Sequence, residues 1–575
     1  MCAGYAVFPL QKVVGEPELS IAFVEDEYKM PPPQVESTES NVARRQVVLG
    51  LVATFSIYAF FFYHLQTMGV ARPRMAAELH GMALFGWLIS IPGLAGALGT
   101  LFLSKLSDLY GRRLVLMVSL SLALVGSVMS ALSPTIVVLI IATTIGSLGL
   151  GAVIPLALSV LGDMFAPAER SKWVGMLNIP GGMFSLLGPT LGGWLVDNLS
   201  WRHIFWIAVP LTGVCLLAVP LGIPRHVKKV TPKIDVVGST LIVLASSALI
   251  LALSFAGLYP WVSLQVAGLL VVSIALWALF VWSQGRVVEP FLDPQLLRNR
   301  TFRIVLVTCA LATFGQTAIM MYYPLFLQGV QGISATRSGQ ILTPFGVLMS
   351  FGGVPTGFLI ARTKRFKKLF IGSYALLAVV MWRTVFFTHQ TSIAWGIAVA
   401  TLTGLGFGAL PTITTLVAQC AVPKRILGAA MGVYFFNQLL FLTISSAVLG
   451  SILNVRYAAT LKTSLPQGVT HLADKTTIHS LGDPSVLLLK PAMKALQGIF
   501  DKSGSNGQTL FTQTIDAVRL SLQSGLTLVF LIAAVTMLLA FVLILRIPEM
   551  SIDTEVRDER APEPLEESRL VAERS

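Results

Sequence analysis

The chain holds about fourteen runs of mainly apolar residues, each long enough to cross a bilayer, and this repetition decides what it can fold into. About 20 apolar residues span the hydrocarbon core as a helix. Backbone polar groups find no water there, so a spanning segment must bond to itself and becomes helical. The runs fall at 47–66, 83–103, 113–132, 135–161, 172–196, 204–222, 236–257, 261–281, 303–327, 339–361, 369–388, 392–418, 427–453 and 525–546. Neighbours joined by short links, such as 132–135 and 257–261, form antiparallel hairpins. Composition agrees: 54% of the 575 residues are hydrophobic and 12% charged, where a soluble domain carries about 25% charged residues. Little chain is left for a soluble core, and the expected class is an all-α integral membrane protein.

Charge placement orients the runs. Of 28 acidic residues only twelve lie between residues 44 and 546, and none falls in the middle of a span. The net charge of +13 therefore belongs to the loops of a membrane body, where an anionic leaflet attracts it, and no nucleic-acid partner is implied. Basic residues crowd the even-to-odd connections: Lys105, Arg112 and Arg113, then Arg170 and Lys172, then Arg225, Lys228, Lys229 and Lys233. Arg298, Arg362, Lys364, Arg365 and Lys424 continue the pattern, whereas the opposite connections carry mainly Arg72, Arg74 and Arg202. The positive-inside rule then places both termini in the cytoplasm, with the plasma membrane as the expected location.

The soluble parts are small. Residues 1–45 hold Pro31-Pro32-Pro33 and Glu25-Asp26-Glu27 and read as a disordered tail, and 548–575 form a second charged tail. Between them the expected divisions are a six-helix bundle over 46–224, an inserted helix pair with linkers over 225–300, and a second six-helix bundle over 301–547 that includes an extracellular loop, 454–524. The four cysteines (Cys2, Cys215, Cys309, Cys420) form no CxxC, and the seven histidines form no HExxH, so neither metal nor cofactor is expected. No GxxxxGK[ST] occurs, so ATP is not the direct energy source, and an enzyme is not the reading.

Two segments carry mechanical information. LSKLSDLYGRRLVLM, 103–117, puts Asp108 at one helix end and Gly111, Arg112 and Arg113 at the start of the next. Charges on so short a link can latch helices together on one face and release them. ARTKRFKKL, 361–369, is a worn counterpart after the tenth span, as expected of an internal duplication with a cavity between its halves. In NIPGGMFSLLGPTLGGWLVD, 178–197, Gly188-Pro189 and Gly192-Gly193 lie one helical turn apart and open a smooth face for another helix. The expected neighbour for Gly188 and Gly192 is a helix of the other bundle.

The order S-D-x-x-G-R-R resembles the loop signature of the major facilitator superfamily, and GPxxGG its antiporter signature on the fifth helix. WRHIFWIAVP, 201–210, and LGLGAVIPLALSVLGDMFAPAER, 148–170, resemble the sixth and fourth helices of its fourteen-helix drug:proton antiporter branch. The resemblance covers most of 47–547. It implies the major-facilitator fold, two six-helix bundles plus an inserted pair, and efflux of amphipathic or drug-like molecules by alternating access, with protons as the coupling ion. The chain departs from that pattern at Ser104, Leu109, Thr143, Gly146 and Leu65; the last and Thr143 stand where the family's Asp and Arg are usual.

Coupling candidates are therefore unusual: His64, Asp163 and Arg383. His64 reads more readily as an interfacial histidine with no coupling role, Asp163 more readily as the partner of Arg170 or Lys172, and Arg383 equally as a cation snorkelling to the surface. Asp197 reads as pinning a loop with Arg202. Cavity candidates are Asn178, Gln316 and Asn437, each of which could instead join helices, and Tyr322, whose other reading is a packing or lipid-facing aromatic. Three functions stay open: an exporter of small molecules, a substrate-specific uptake or facilitative permease, and a non-transporting membrane sensor.

Overall fold

The structure, a computed structural model, describes residues 37–165, 173, 176–223, 236–286, 296, 298–363, 366–422, 427–466, 484–501 and 507–547. Fourteen long helices run through these residues, and no strand is present among them. The first seven are α1 (Ser37–Glu78), α2 (Trp87–Tyr110), α3 (Arg112–Ala131), α4 (Ile136–Met164), α5 (Asn178–Asn198), α6 (Arg202–Gly222) and α7 (Val236–Phe255). Then come α8 (Leu264–Gln284), α9 (Arg300–Val330), α10 (Ala335–Ile360), α11 (Lys367–Thr384), α12 (Ile393–Cys420), α13 (Leu427–Ser464) and α14 (Gly507–Ile544). Twelve of them are long and apolar enough to cross a membrane. The other two are α5, diluted by glycine, and α11, which carries Lys367, Lys368 and Arg383.

Helix starts follow from local chemistry. Side-chain oxygens of Thr135, Ser263, Asn299 and Ser334 accept from backbone N–H groups three residues on, at 3.0–3.3 Å. These caps satisfy donors that the first turn leaves unpaired. Between α2 and α3 the entire link is Gly111, at φ 88°, a value that favours glycine. α9 is α-helical to Thr317 and then relaxes into π-helical turns at Ala318–Tyr322 and Phe326–Val330.

Several helices outrun their apolar cores. α1 continues through Pro73 to Glu78, beyond the expected 47–66. The loop expected over 454–524 is shorter, because α13 runs to Ser464 and α14 starts at Gly507. Hydropathy marks the part of a helix that lies in hydrocarbon, and polar turns standing clear of it leave no such mark. A short helix, Lys490–Asp501, lies within the remaining connection.

The described residues from 46 to 547 pack as one compact unit, and of residues 1–45 the described part begins α1. Within the larger unit α2, α3, α4 and α6 pack on one another, as do α9 to α14. α7 and α8 pair with each other, and α7 also lies on α2 and on α13. A separate apolar cluster seats it there, with Leu241, Ile242 and Ile250 of α7 against Leu94 of α2 and Leu440 and Ile444 of α13. α8 turns Val271, Ile274, Val281 and Trp282 outward. So apolar an outer surface fits lipid rather than water.

Candidate functional site

The face that carries the odd-to-even connections joins the first six helices to the last six by three seams. At α1 and α9, Gln328 Nε2 donates to the Val70 carbonyl at 3.0 Å. A Cβ on Gly69 would stand 3.4 Å from the Met320 carbonyl, and Arg72 Nη1 reaches Met321 Sδ at 2.6 Å. At α2 and α13, a Cβ on Gly86 would meet the Gly450 Cα at 3.1 Å, and Asn454 Nδ2 donates to the Ala83 carbonyl at 2.6 Å. Tyr322, fully buried, donates to the Ser446 carbonyl at 2.8 Å and meets Phe85 edge-on at 5.6 Å between centroids.

The third seam, α5 against α10, is the most extensive. Gly193 abuts the backbone of Ala335 and Thr336, and Gly339 abuts that of Pro189. Thr190 and Thr343 hydroxyls lie 3.3 Å apart. Gln66 of α1 donates to Ser185 Oγ at 2.8 Å, and Ser185 shares a hydrogen bond with Ser350, so a polar chain crosses from α1 through α5 to α10. At the end of α5, Asp197 accepts from the Ala335 and Thr336 amides, at 3.3 and 2.7 Å, and from the Thr336 hydroxyl at 2.5 Å. A carboxylate at a helix N-terminus is favoured by the unpaired amides and the helix dipole. Asp197 therefore caps α10 of the other half and does not pin a loop with Arg202, whose guanidinium goes to the Ser133 carbonyl and the Trp201 ring.

The GPxxGG residues divide differently from expectation. A Cβ on Gly188 would meet Gln66 Cβ at 2.6 Å, and one on Gly192 the Thr67 carbonyl at 2.8 Å, so both face α1 of their own half. Gly193, with the carbonyl of Pro189, makes the approach to α10. Spacing of four correctly sets two glycines on one face, but it does not say which helix lies there.

Of the loop residues, Arg112 makes an ion pair inside the first half. Arg112 donates from Nε to Asp163 Oδ2, tying the start of α3 to the end of α4. Gly111 is buried and Arg112 and Arg113 are half-buried, while the side chain of Asp108 lies outside the described ones. Arg170 and Lys172, the expected partners of Asp163, also lie outside the described residues.

The remaining candidates scatter. His64 sits between the rings of Phe60 and Phe205, at 6.4 and 6.3 Å, with Nδ1 buried and unpartnered. Arg383 lies over Trp395 at 4.7 Å and Phe387 at 5.6 Å, at the α11–α12 hairpin and away from the seams. Asn437 donates to the Leu306 carbonyl at 3.0 Å and so ties α13 to α9. Gln316 is half-buried one position before Thr317, whose hydroxyl bonds Ser445 at 2.6 Å. Asn178 is helical, with a side chain outside the described ones. Gln328 and Asp197 join the halves, and Gln66 reaches toward the seam through Ser185; a lone amide or carboxylate gives no sign in sequence of which partner it will meet.

Two helical halves meeting along glycine seams and a few polar bonds on one face can part there by rigid rocking, which is the architecture of a membrane carrier. The Major Facilitator Superfamily model matches residues 50–445, and the chain belongs to that family. It is a multi-pass membrane transporter of small molecules and not an enzyme. It is 28% identical over 409 residues to the multidrug transporter protein MdtP of Bacillus subtilis, covering 71% of this chain and 75% of that one. With multidrug resistance protein 3 of the same organism it shares 27% identity over 515 residues, 88% of this chain and 96% of the other. A bacterial homologue of the human lysosomal transporter Spinster, solved inward-facing and unoccupied, has the same fold at a TM-score of 0.55 and 16% identity, covering 87% and 98% of the two chains.

Proposed function

We propose that the protein exports amphipathic, drug-like small molecules from the cytoplasm by alternating access. The similarity to multidrug resistance protein 3 along nearly all of both chains carries this reading. Loop charge supports both termini lying in the cytoplasm, and we assign the protein to the plasma membrane. The three seams then close the extracellular side, and the structure is the state that takes substrate from within. The bundles over 46–224 and 301–547 rock against each other, with the pair in 225–300 riding on α2 and α13.

Proton antiport is the driving mode we assign. Without an acid in mid-span it needs a group such as His64 or Asp163, each of which sits within the first half. The test is flux of a fluorescent amphiphile in proteoliposomes, with and without an imposed pH gradient. Substrate movement that accelerates with the gradient supports antiport. Movement indifferent to it points to a facilitator, and no movement of any amphiphile to a sensor.

A further inference from the structure

Arg72 stands on α1 two turns before the helix ends, one residue ahead of Pro73. Its guanidinium is half-buried and turned toward α9, where Met321 Sδ is its hydrogen-bond partner at 2.6 Å. Among the described residues no carboxylate pairs with it. Its neighbour Arg74 differs: it has the Glu78 carboxylate at 3.1 Å and the Leu488 carbonyl. A guanidinium carries five N–H donors, and a thioether is a weak acceptor for one of them. Arg72 is thus a permanent cation held between the two halves with little to balance it.

Among the described residues the surroundings supply no counter-charge. Among the described spans, Glu78, Asp108, Asp163 and Asp197 all lie within two residues of their helix ends, and Asp516 pairs with Arg519 at 3.2 Å. His64, about 12 Å back along α1, is a base as well. The contacts beside Arg72 are those that part when this face opens, the Gln328 bond to Val70 and the approach of Gly69 to Met320. A ligand loaded from within meets the guanidinium as this face opens and Met321 withdraws.

We propose that the ligand brings the missing charge: the carrier takes amphipathic organic anions, carboxylates or sulfonates, whose acid group is bound by Arg72. A planar guanidinium grips such oxygens with two parallel bonds. The same charge, poorly screened in a low-dielectric interior, repels ammonium-bearing amphiphiles of equal size. This rests on the transporter reading and narrows its substrate class.

The test uses the full chain purified in detergent and a matched pair, 1-naphthylacetate and 1-naphthylmethylammonium, read by equilibrium binding. Wild type should prefer the acid by about tenfold or more, equivalent to one good charged contact. Arg72→Gln should bring the ratio to about one, Arg72→Lys should restore part of it, and Met321→Leu should leave it intact. Melting temperatures identify any variant that has lost its fold, and the wild-type preference stands as a test even then. An unchanged ratio in folded Arg72→Gln, a wild-type preference for the amine, or no binding of either compound to folded wild type overturns the assignment. Flux in proteoliposomes is read separately: selective binding without flux keeps the anion site and sinks the exporter reading. Equal flux of acid and amine keeps the exporter and sinks the anion site.

Discussion

Single glycines in one motif have different jobs, and substitution separates them. Gly188 and Gly192 face Gln66 and Thr67 of their own half, so Leu at either place wedges α5 off α1. Overpacking costs about 1–3 kcal/mol, and these variants should show lower melting temperatures in detergent. Gly193 and Gly339 instead face the other half. Leu there acts only where the halves meet, and shifts the balance between the two access states by about 5- to 150-fold, the same energy range. Flux should fall while melting stays near wild type, and unchanged flux in both would show the α5–α10 seam idle in transport. Asn437→Leu removes the bond to Leu306 within one half. It should cost about 1–2 kcal/mol of stability, seen in the melt, and leave ligand preference unchanged. Asp163 is nearly half exposed at 45%, so its pair with Arg112 is worth about 0–1 kcal/mol. Asp163→Asn should therefore barely alter the melt; loss of gradient-driven flux with gradient-free flux retained would mark Asp163 as a proton carrier, loss of both would mark it as a mechanical link, and unaltered gradient dependence would remove it as sole carrier.

At the scale of elements, the runs of apolar residues announced the helices, because hydrocarbon imposes the same length on each. Their ends were less legible. α1 and α14 extend past the apolar stretch by turns whose polar residues, such as Arg74, Glu78 and Gln508, look like loop. The π-helical turns of α9 left no sign either, since AIMMY and FLQGV read as ordinary helix. GPxxGG was legible as a packing surface, yet its assignment to the other bundle failed for Gly188 and Gly192. Helix contacts between halves depend on crossing geometry, and one sequence does not encode that locally. Asp197 shows the same limit: its partners Ala335 and Thr336 lie more than 130 residues away. Asp197→Asn should loosen the cap of α10 on the sealed face, and Thr343→Cys, further along the same α5–α10 seam, should then label faster; equal rates would show that the cap does not hold the face shut.

For the whole molecule, the proposed sidedness rests on where the cations cluster, and labelling tests it. Thr509 is exposed at the start of α14, and Thr363 is exposed on the opposite face. In intact cells an impermeant thiol reagent should modify Thr509→Cys and spare Thr363→Cys until the membrane is permeabilised. The reverse pattern would turn the protein over, and the seams would then close the cytoplasmic side.

Gly111 is the whole of the link between α2 and α3, and a link of one residue has no slack. α2 cannot tilt away from α13 at one face without dragging the start of α3 at the other, and Arg112 hands that motion to α4 through Asp163. If the halves rock as proposed, the first half works as a train of meshed gears, in which play at any tooth is lost travel at the far end. Lengthening the link by a few flexible residues should leave each face able to move and deprive it of news of the other. Ligand added on one side would then no longer change reagent access on the opposite side, although both ends of the carrier remained folded.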